Sequence, residues 1–196
     1  LKGVPGAAGF ESMNRDQYGL VELPSEERHG FIWAVLTAEA EMDLDAHLGP
    51  MDSELAQWNY QAFGYHDERL LTSEVSWKGA LEAFAEGYHF PFVHGNSVIG
   101  MNTLANTNVY DEFGVHHRIG FPFNWITQLE GTEPADNWDP VQQMGIIYWV
   151  YPNLILANSP VGVEVIDILP ADSATTCTVR HSWMARYPAT TPEQTE

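Results

Sequence analysis

Trp77-Lys78-Gly79-Ala80-Leu81-Glu82-Ala83-Phe84-Ala85-Glu86-Gly87-Tyr88-His89-Phe90-Pro91-Phe92-Val93-His94 is the stretch around which this chain is organised. It holds two histidines five residues apart, a glutamate three residues before the first, and a proline between them. At roughly 100° per residue, Leu81, Phe84, Ala85 and Tyr88 share one helical stripe, and Lys78, Glu82, Glu86 and His89 share its neighbour. The pattern predicts a helix over 77–89 whose apolar stripe packs on a sheet. On an unbroken helix, two residues five apart point about 140° away from each other, too far to share one ion. Pro91 supplies a break, because it has no N–H to donate and disfavours helical geometry at Phe90. A bend at Phe90-Pro91 then lets His94 swing back towards His89.

Two neutral imidazoles with open positions suit Fe(II), zinc or copper, and a third ligand, usually a carboxylate, would complete a two-histidine, one-carboxylate iron site. Glu86, one turn before His89, is placed either to touch such an ion or to hold the histidine. The same residues also fit a solvated helix face, with His94 in a loop. Other histidines carry less. Glu26-x-x-His29 repeats the spacing used in di-iron bundles, but Pro24, Gly30 and a following strand leave no long helix for it. His116-His117 falls in a strand, where neighbours point to opposite faces. His47, His66 and His181 read as surface residues. There is no G-x-S-x-G, no phosphate-binding glycine loop and no C-x-x-C. A zinc hydrolase with Glu86 as base would want the helical H-E-x-x-H spacing, which is also missing.

Outward from this stretch the chain alternates short apolar runs with turns. Leu1–Gly9 is rich in Gly, Pro and Ala and reads as a loop or linker. Strands are expected at 18–23, 31–36 and 68–77, with a turn over 24–30, a surface loop or short helix at 39–50, and helix at 52–63. After His94, residues 96–106 read as a loop, 108–110 and 115–121 as a hairpin, and 127–140 as a long polar loop. Runs at 144–151, 153–158, 161–169 and 175–187 complete a series of β segments, and 188–196 is a Thr/Pro/Glu tail. The class is α+β, an antiparallel sheet with few helices.

Composition bounds the partners. Of the 196 residues, 44% are hydrophobic, enough for a sizeable core. The net charge of −19, with only eight Lys and Arg, argues against nucleic acid or an anionic membrane surface as partner. No apolar run approaches the roughly 20 residues of a membrane span. Cys177 is the only cysteine, so no disulfide forms within the chain, no cysteine-ligated cluster is possible in it, and a cytoplasmic location fits. In a strand, Cys177 reads as a small buried residue.

Around the central stretch the sequence resembles the catalytic domain of the Rieske-type non-haem iron oxygenases, the large (alpha) subunits of aromatic-ring-hydroxylating dioxygenases and related monooxygenases. The matching residues are Trp77-Lys78, Glu82, Phe84, Glu86, Tyr88-His89 and His94, supported by Gly30-Phe31-Ile32-Trp33, Tyr151-Pro152-Asn153-Leu154 and Leu169-Pro170. Ala83 stands where many members have Asn, and Glu86 where many have Asp. The resemblance implies a helix-grip fold, a curved antiparallel sheet packed on a helix. It implies that His89 and His94 ligate a mononuclear Fe(II) and that Glu86 is the electron bridge to a Rieske [2Fe–2S] cluster in a neighbouring subunit. Phe90, Phe92, Val93 and Tyr148 are then expected around an apolar substrate pocket.

The family's C-x-H and C-x-x-H cluster motifs are not in the chain, nor is the Asp-bearing helix that supplies its third iron ligand. Asp167 and Asp172 are late aspartates without a helical context. On the resemblance, 1–17 is a linker from an upstream Rieske domain, 18–187 a partial catalytic domain, and 188–196 leads to a further C-terminal segment. The expected activity is insertion of oxygen from O2 into an aromatic or other apolar substrate, with a ferredoxin or reductase as electron donor and a homo-oligomer, a trimer in the family. The chain alone is expected to be inactive. The alternative on the same fold is a module that binds a hydrophobic ligand without catalysis.

Overall fold

The computed structural model describes residues 3–104, 107–132, 134 and 137–187, and the 188–196 tail lies outside them. The chain divides into two compact units, Leu1–His47 and Leu48–Glu196.

In the first unit, β1 (Ser25–Arg28) and β2 (Phe31–Ala34) form an antiparallel hairpin, with Arg28 opposite Phe31. The turn is only His29-Gly30, both with positive φ (55° and 83°), the geometry that two-residue hairpins require. This corrects the expected turn over 24–30. The strand expected at 18–23 is not formed either: a short 3-10 turn at Arg15–Tyr18, capped by the Asn14 side chain, is followed by irregular chain up to β1. β1 reads as a turn in sequence because it is all polar. It stands as a strand because its backbone pairs with β2, and Arg28 adds bonds to Glu26 beside it and Asp45 beyond. β2 alternates half-buried and exposed residues and is not a buried strand. Leu44–Leu48 is the short helix α1.

The second unit is built on a seven-stranded antiparallel sheet. Its strands are β3 (Gly64–Ser73), β4 (Val109–Phe113), β5 (His116–Pro122), β6 (Met144–Val150), β7 (Leu154–Asn158), β8 (Gly162–Pro170) and β9 (Cys177–Ala185), in the order β3-β9-β8-β7-β6-β5-β4. The α+β expectation holds. Helices are short: α2 (Met51–Ala56), α3 (Trp77–Glu82), α4 (Phe90–Val93), α5 (Val98–Asn102) and α6 (Pro140–Gln143). No helix among the described residues is long and apolar enough to cross a membrane.

Strand alternation gives the sheet two different faces. One face carries Ile119, Phe121, Ile147, Ile155, Ile166, Ile168 and Cys177, which form a core with Leu81 of α3 and Phe90 of α4. Cys177 is fully buried there, as its sequence context suggested. The other face carries Arg118, Tyr148 and Asn158. Here Trp58 Nε1 donates to the Tyr148 hydroxyl (3.0 Å), Tyr148 donates to Glu54 Oε2 (3.1 Å), and Arg118 bridges Glu54 and Asp111. Tyr60 donates to Asn158 Oδ1 at 2.9 Å.

That polar cluster has a testable alkaline signature. Burial, then the Glu54 carboxylate, pushes the Tyr148 hydroxyl from its ordinary 10.0 to about 12, and burial raises Tyr60 well above 10.0. The folded state therefore holds these two protons more tightly than the unfolded state. Their stabilisation is complete below about pH 10 and is lost as pH rises from there towards about 12. In a phenolate absorbance titration, two of the eight tyrosines should ionise only as near-ultraviolet dichroism collapses. Independent titration of all eight with tertiary structure intact would contradict this.

Candidate metal centre

The local sequence builds the centre in two steps. Ser76 caps α3, its hydroxyl accepting the Gly79 N–H at 3.1 Å. The helix ends at Glu82, well short of the expected 77–89. Tight bonds from Phe84 to Leu81 and from Ala85 to Glu82 close its last turn. Gly87 then presses its backbone onto the sheet. A Cβ there would lie 2.7 Å from Phe121 Cε1, so only glycine fits without moving the ring. The chain has left the helix before residue 87, and Tyr88 faces outward rather than onto the sheet (66% exposed).

The bend thus lies over 83–88, before the histidines, and not at Phe90-Pro91 as the proline suggested. Pro91 sits in the first turn of α4, where its missing N–H costs no hydrogen bond. His89 and His94 flank that single turn as its N-cap and C-cap. Their rings come together all the same, with centroids 5.2 Å apart and planes at 66°. α5, capped by Ser97, holds the far end of the turn. The Ser97 N–H and hydroxyl both donate to the His94 carbonyl at 2.8 Å. Sequence reading placed a loop here, although Ser97 is a fair N-cap signal.

Glu86 is brought to His89. Its Oε1 meets the His89 Nδ1, and its Oε2 accepts the His89 backbone N–H at 3.2 Å. Desolvation raises the Glu86 carboxyl, but the hydrogen bonds from the His89 ring and backbone outweigh it and hold the group below its ordinary 4.5. With Nδ1 occupied by a carboxylate, His89 has Nε2 free. This is the way carboxylates orient metal-binding imidazoles elsewhere.

The donor set can be tested against a metal. With a metal–nitrogen bond of about 2.1 Å and the ring centre about 1.2 Å further on, two imidazoles meeting an ion at about 100° have centroids about 5 Å apart. The observed 5.2 Å fits. Two imidazoles are the extent of the set, because no group of three or more His, Cys, Asp or Glu able to hold a metal occurs among the described residues. Asp167 adds nothing, because it lies between Ile166 and Ile168 and so points to the opposite face of β8.

The residues expected around a substrate are not gathered as a pocket. Tyr148 lies on the face of the sheet opposite α3 and α4. Its neighbours Ile147 and Trp149 pack towards α3 and α4, and alternation turns Tyr148 away to Trp58 and Glu54. Phe92 and Val93 are 76% and 69% exposed. Phe90 is a core residue, edge-on to His89 (4.9 Å) and packed on Phe121 (4.8 Å). His116 and His117 do point to opposite faces. His116 accepts the Tyr151 N–H on one, and His117 lies between Tyr110 and Trp149 on the other.

The comparisons agree with this architecture. No curated protein sequence matches the chain significantly. Among solved structures, the quaternary ammonium Rieske monooxygenase CntA in complex with an inhibitor superposes with a TM-score of 0.75 at 16% identity, covering 99% of this chain and 50% of that one. Naphthalene 1,2-dioxygenase with indole bound gives 0.62 at 18% identity, covering 100% and 51%. The chain spans about half the length of these relatives. At such identities the likeness establishes the fold. The model of the catalytic domain of the ring-hydroxylating alpha subunit matches residues 55–196, which include α3, both histidines and the whole seven-stranded sheet. The chain therefore belongs to the ring-hydroxylating alpha subunit family, through its catalytic domain.

Proposed function

We propose that this chain is the catalytic region of a Rieske-type oxygenase that inserts oxygen from O2 into an organic substrate at a mononuclear Fe(II) held by His89 and His94. The observation that carries the reading is the Glu86–His89–His94 arrangement: two imidazoles at single-ion spacing, one of them backed by a carboxylate. When bound, the iron supplies the binding and reductive activation of O2. The chain's own residues do the rest. Glu86 fixes the His89 ring and its tautomer, and its half-exposed carboxylate would be the bridging group where a [2Fe–2S] domain of a neighbouring subunit docked. Phe90 walls the histidines off from water on the core side. The third iron ligand, the cluster, a ferredoxin or reductase donor and a trimeric assembly belong to the whole protein on this reading.

For the substrate we favour an apolar or aromatic molecule. The exposed side chains beside the histidine turn, Tyr88, Phe92 and Val93, are aromatic or apolar. The two relatives act on, or are bound to, a quaternary ammonium compound and an arene system, so both classes belong in a substrate screen.

Glu86→Gln tests the role of the carboxylate. Glutamine keeps a hydrogen bond to His89 but loses the charge. In the full-length protein, iron retention should fall by no more than about tenfold, at the low end of the loss seen when a metal ligand's outer partner is removed. The rate of electron delivery from reduced cluster to iron, followed by rapid-mixing spectroscopy, should fall by about two orders of magnitude. Unchanged transfer would refute the bridge.

A further inference from the structure

We propose that Phe121 of β5, seated against Gly87, is a positioning residue that sets the separation of His89 and His94. The inference rests on the reading of those histidines as metal ligands. Phe121 lies in the sheet's helix-facing core, 2% exposed, and follows His94 by 27 residues in the chain. One side of its ring is met by the Gly87 backbone, where an added Cβ would be 2.7 Å and 3.1 Å from Cε1 and Cδ1. Another side is met by the Phe90 ring at 4.8 Å. Phe90 in turn stands edge-on to both histidines, with centroids 4.9 Å from His89 and 6.1 Å from His94. Its N–H is tied back to the Gly87 carbonyl at 3.1 Å. The rings thus form one stack from the sheet to the donor atoms, closed on itself through Gly87.

A stack of this kind transmits displacement, because packed interiors have few voids to absorb it. Ligand constellations need placement within about 0.5 Å. A methyl group at residue 87 would push the Phe121 ring, and through Phe90 would spread the histidines. A smaller residue at 121 would let Phe90 drop into the core and withdraw the histidines from their spacing. The two changes are opposite in sign and share one site, so each should relieve the other.

Co(II) binding to the full-length protein, read by its d–d absorption and by calorimetry, gives a signal independent of turnover. Gly87→Ala and Phe121→Leu should each weaken binding by about tenfold or more. The Gly87→Ala/Phe121→Leu double variant should recover to within about threefold of the unmodified protein, a coupling expected only of groups in contact. Ile155→Val, in the same core but away from the stack, should lower thermal stability and leave Co(II) affinity unchanged. If Gly87→Ala fails to fold, Phe121→Leu alone decides, because wild-type affinity in that folded variant overturns the proposal. Additive losses in the double variant, or a loss for Ile155→Val equal to that for Phe121→Leu, also overturn it. If instead His89→Ala leaves Co(II) binding intact, the underlying reading of the histidines fails as well.

Discussion

His89→Ala is expected to leave the full-length protein without mononuclear iron and without oxygenase activity, while its fold survives. His94→Ala should do the same. Neither histidine is part of the packed core. His89 keeps 24% of its side chain exposed, and its ring contacts are Glu86 and its neighbours on the same short turn. The stability cost should therefore be near that of a surface change, within about 1 kcal/mol. The metal cost should be near complete, because the site is left with one imidazole and the whole protein's third ligand in place of three donors. Metal analysis, corrected for cluster iron, and product formation should both fall to background, with far-ultraviolet dichroism unchanged. His181→Ala is the matched control. His181 is held by Glu164 at 3.0 Å and sits on β9, remote in the fold from α4. Retention of full iron by His89→Ala would remove the central claim of the site.

The second large effect is expected from Gly100→Ala. Gly100 lies in α5 against the carbonyl of His94, where an added Cβ would fall 2.0 Å from the oxygen and 2.5 Å from the carbon. The obstacle is backbone, so no side-chain rotation relieves it. Either α5 lifts off, losing the two Ser97 bonds to the His94 carbonyl, or the turn that carries both histidines shifts. Overpacking of this kind costs about 1–3 kcal/mol, and the lost hydrogen bonds add to it. We expect a clear drop in the thermal midpoint together with loss of iron, in contrast to the stable but iron-free His89→Ala. Val98→Ala, on the same helix but 76% exposed, should change neither. A Gly100→Ala protein with normal midpoint and iron content would show that α5 does not brace the centre.

These expectations separate what the sequence made legible from what it hid. The pairing of His89 with His94, and Glu86 with His89, could be read from spacing, because the chemistry needs those residue types close together in the chain. The sheet is legible from the apolar runs in 144–187 and the turns that separate them. What failed was anything decided by distant contacts. The helix over 77–89 has the right periodicity, but it stops at Glu82, and Gly87 beyond it lies against Phe121, 34 residues on. Local propensity carries no record of it. Tyr148 was placed near the substrate for its strand membership alone. Counting its parity against Ile147 would have turned it to the other face. β1 escapes the sequence because its four residues are all polar, so no apolar alternation marks it, and only its pairing with β2 makes it a strand.

The burial of Cys177 bears on how such a chain ages. A centre that handles O2 exposes its own protein to stray oxidants, and a reachable thiolate is the group they attack first. Here the sole sulfhydryl is sealed under the sheet at 0% exposure. The sulfur left in the path is the thioether of Met101, on α5 beside the histidine turn and 57% exposed, the only one of six methionines at the open surface. Damage there takes the form of a sulfoxide, which reductases can reverse, rather than the overoxidised cysteine acids, most of which are permanent. On the proposed O2 chemistry, its wear would thus fall on a reparable group.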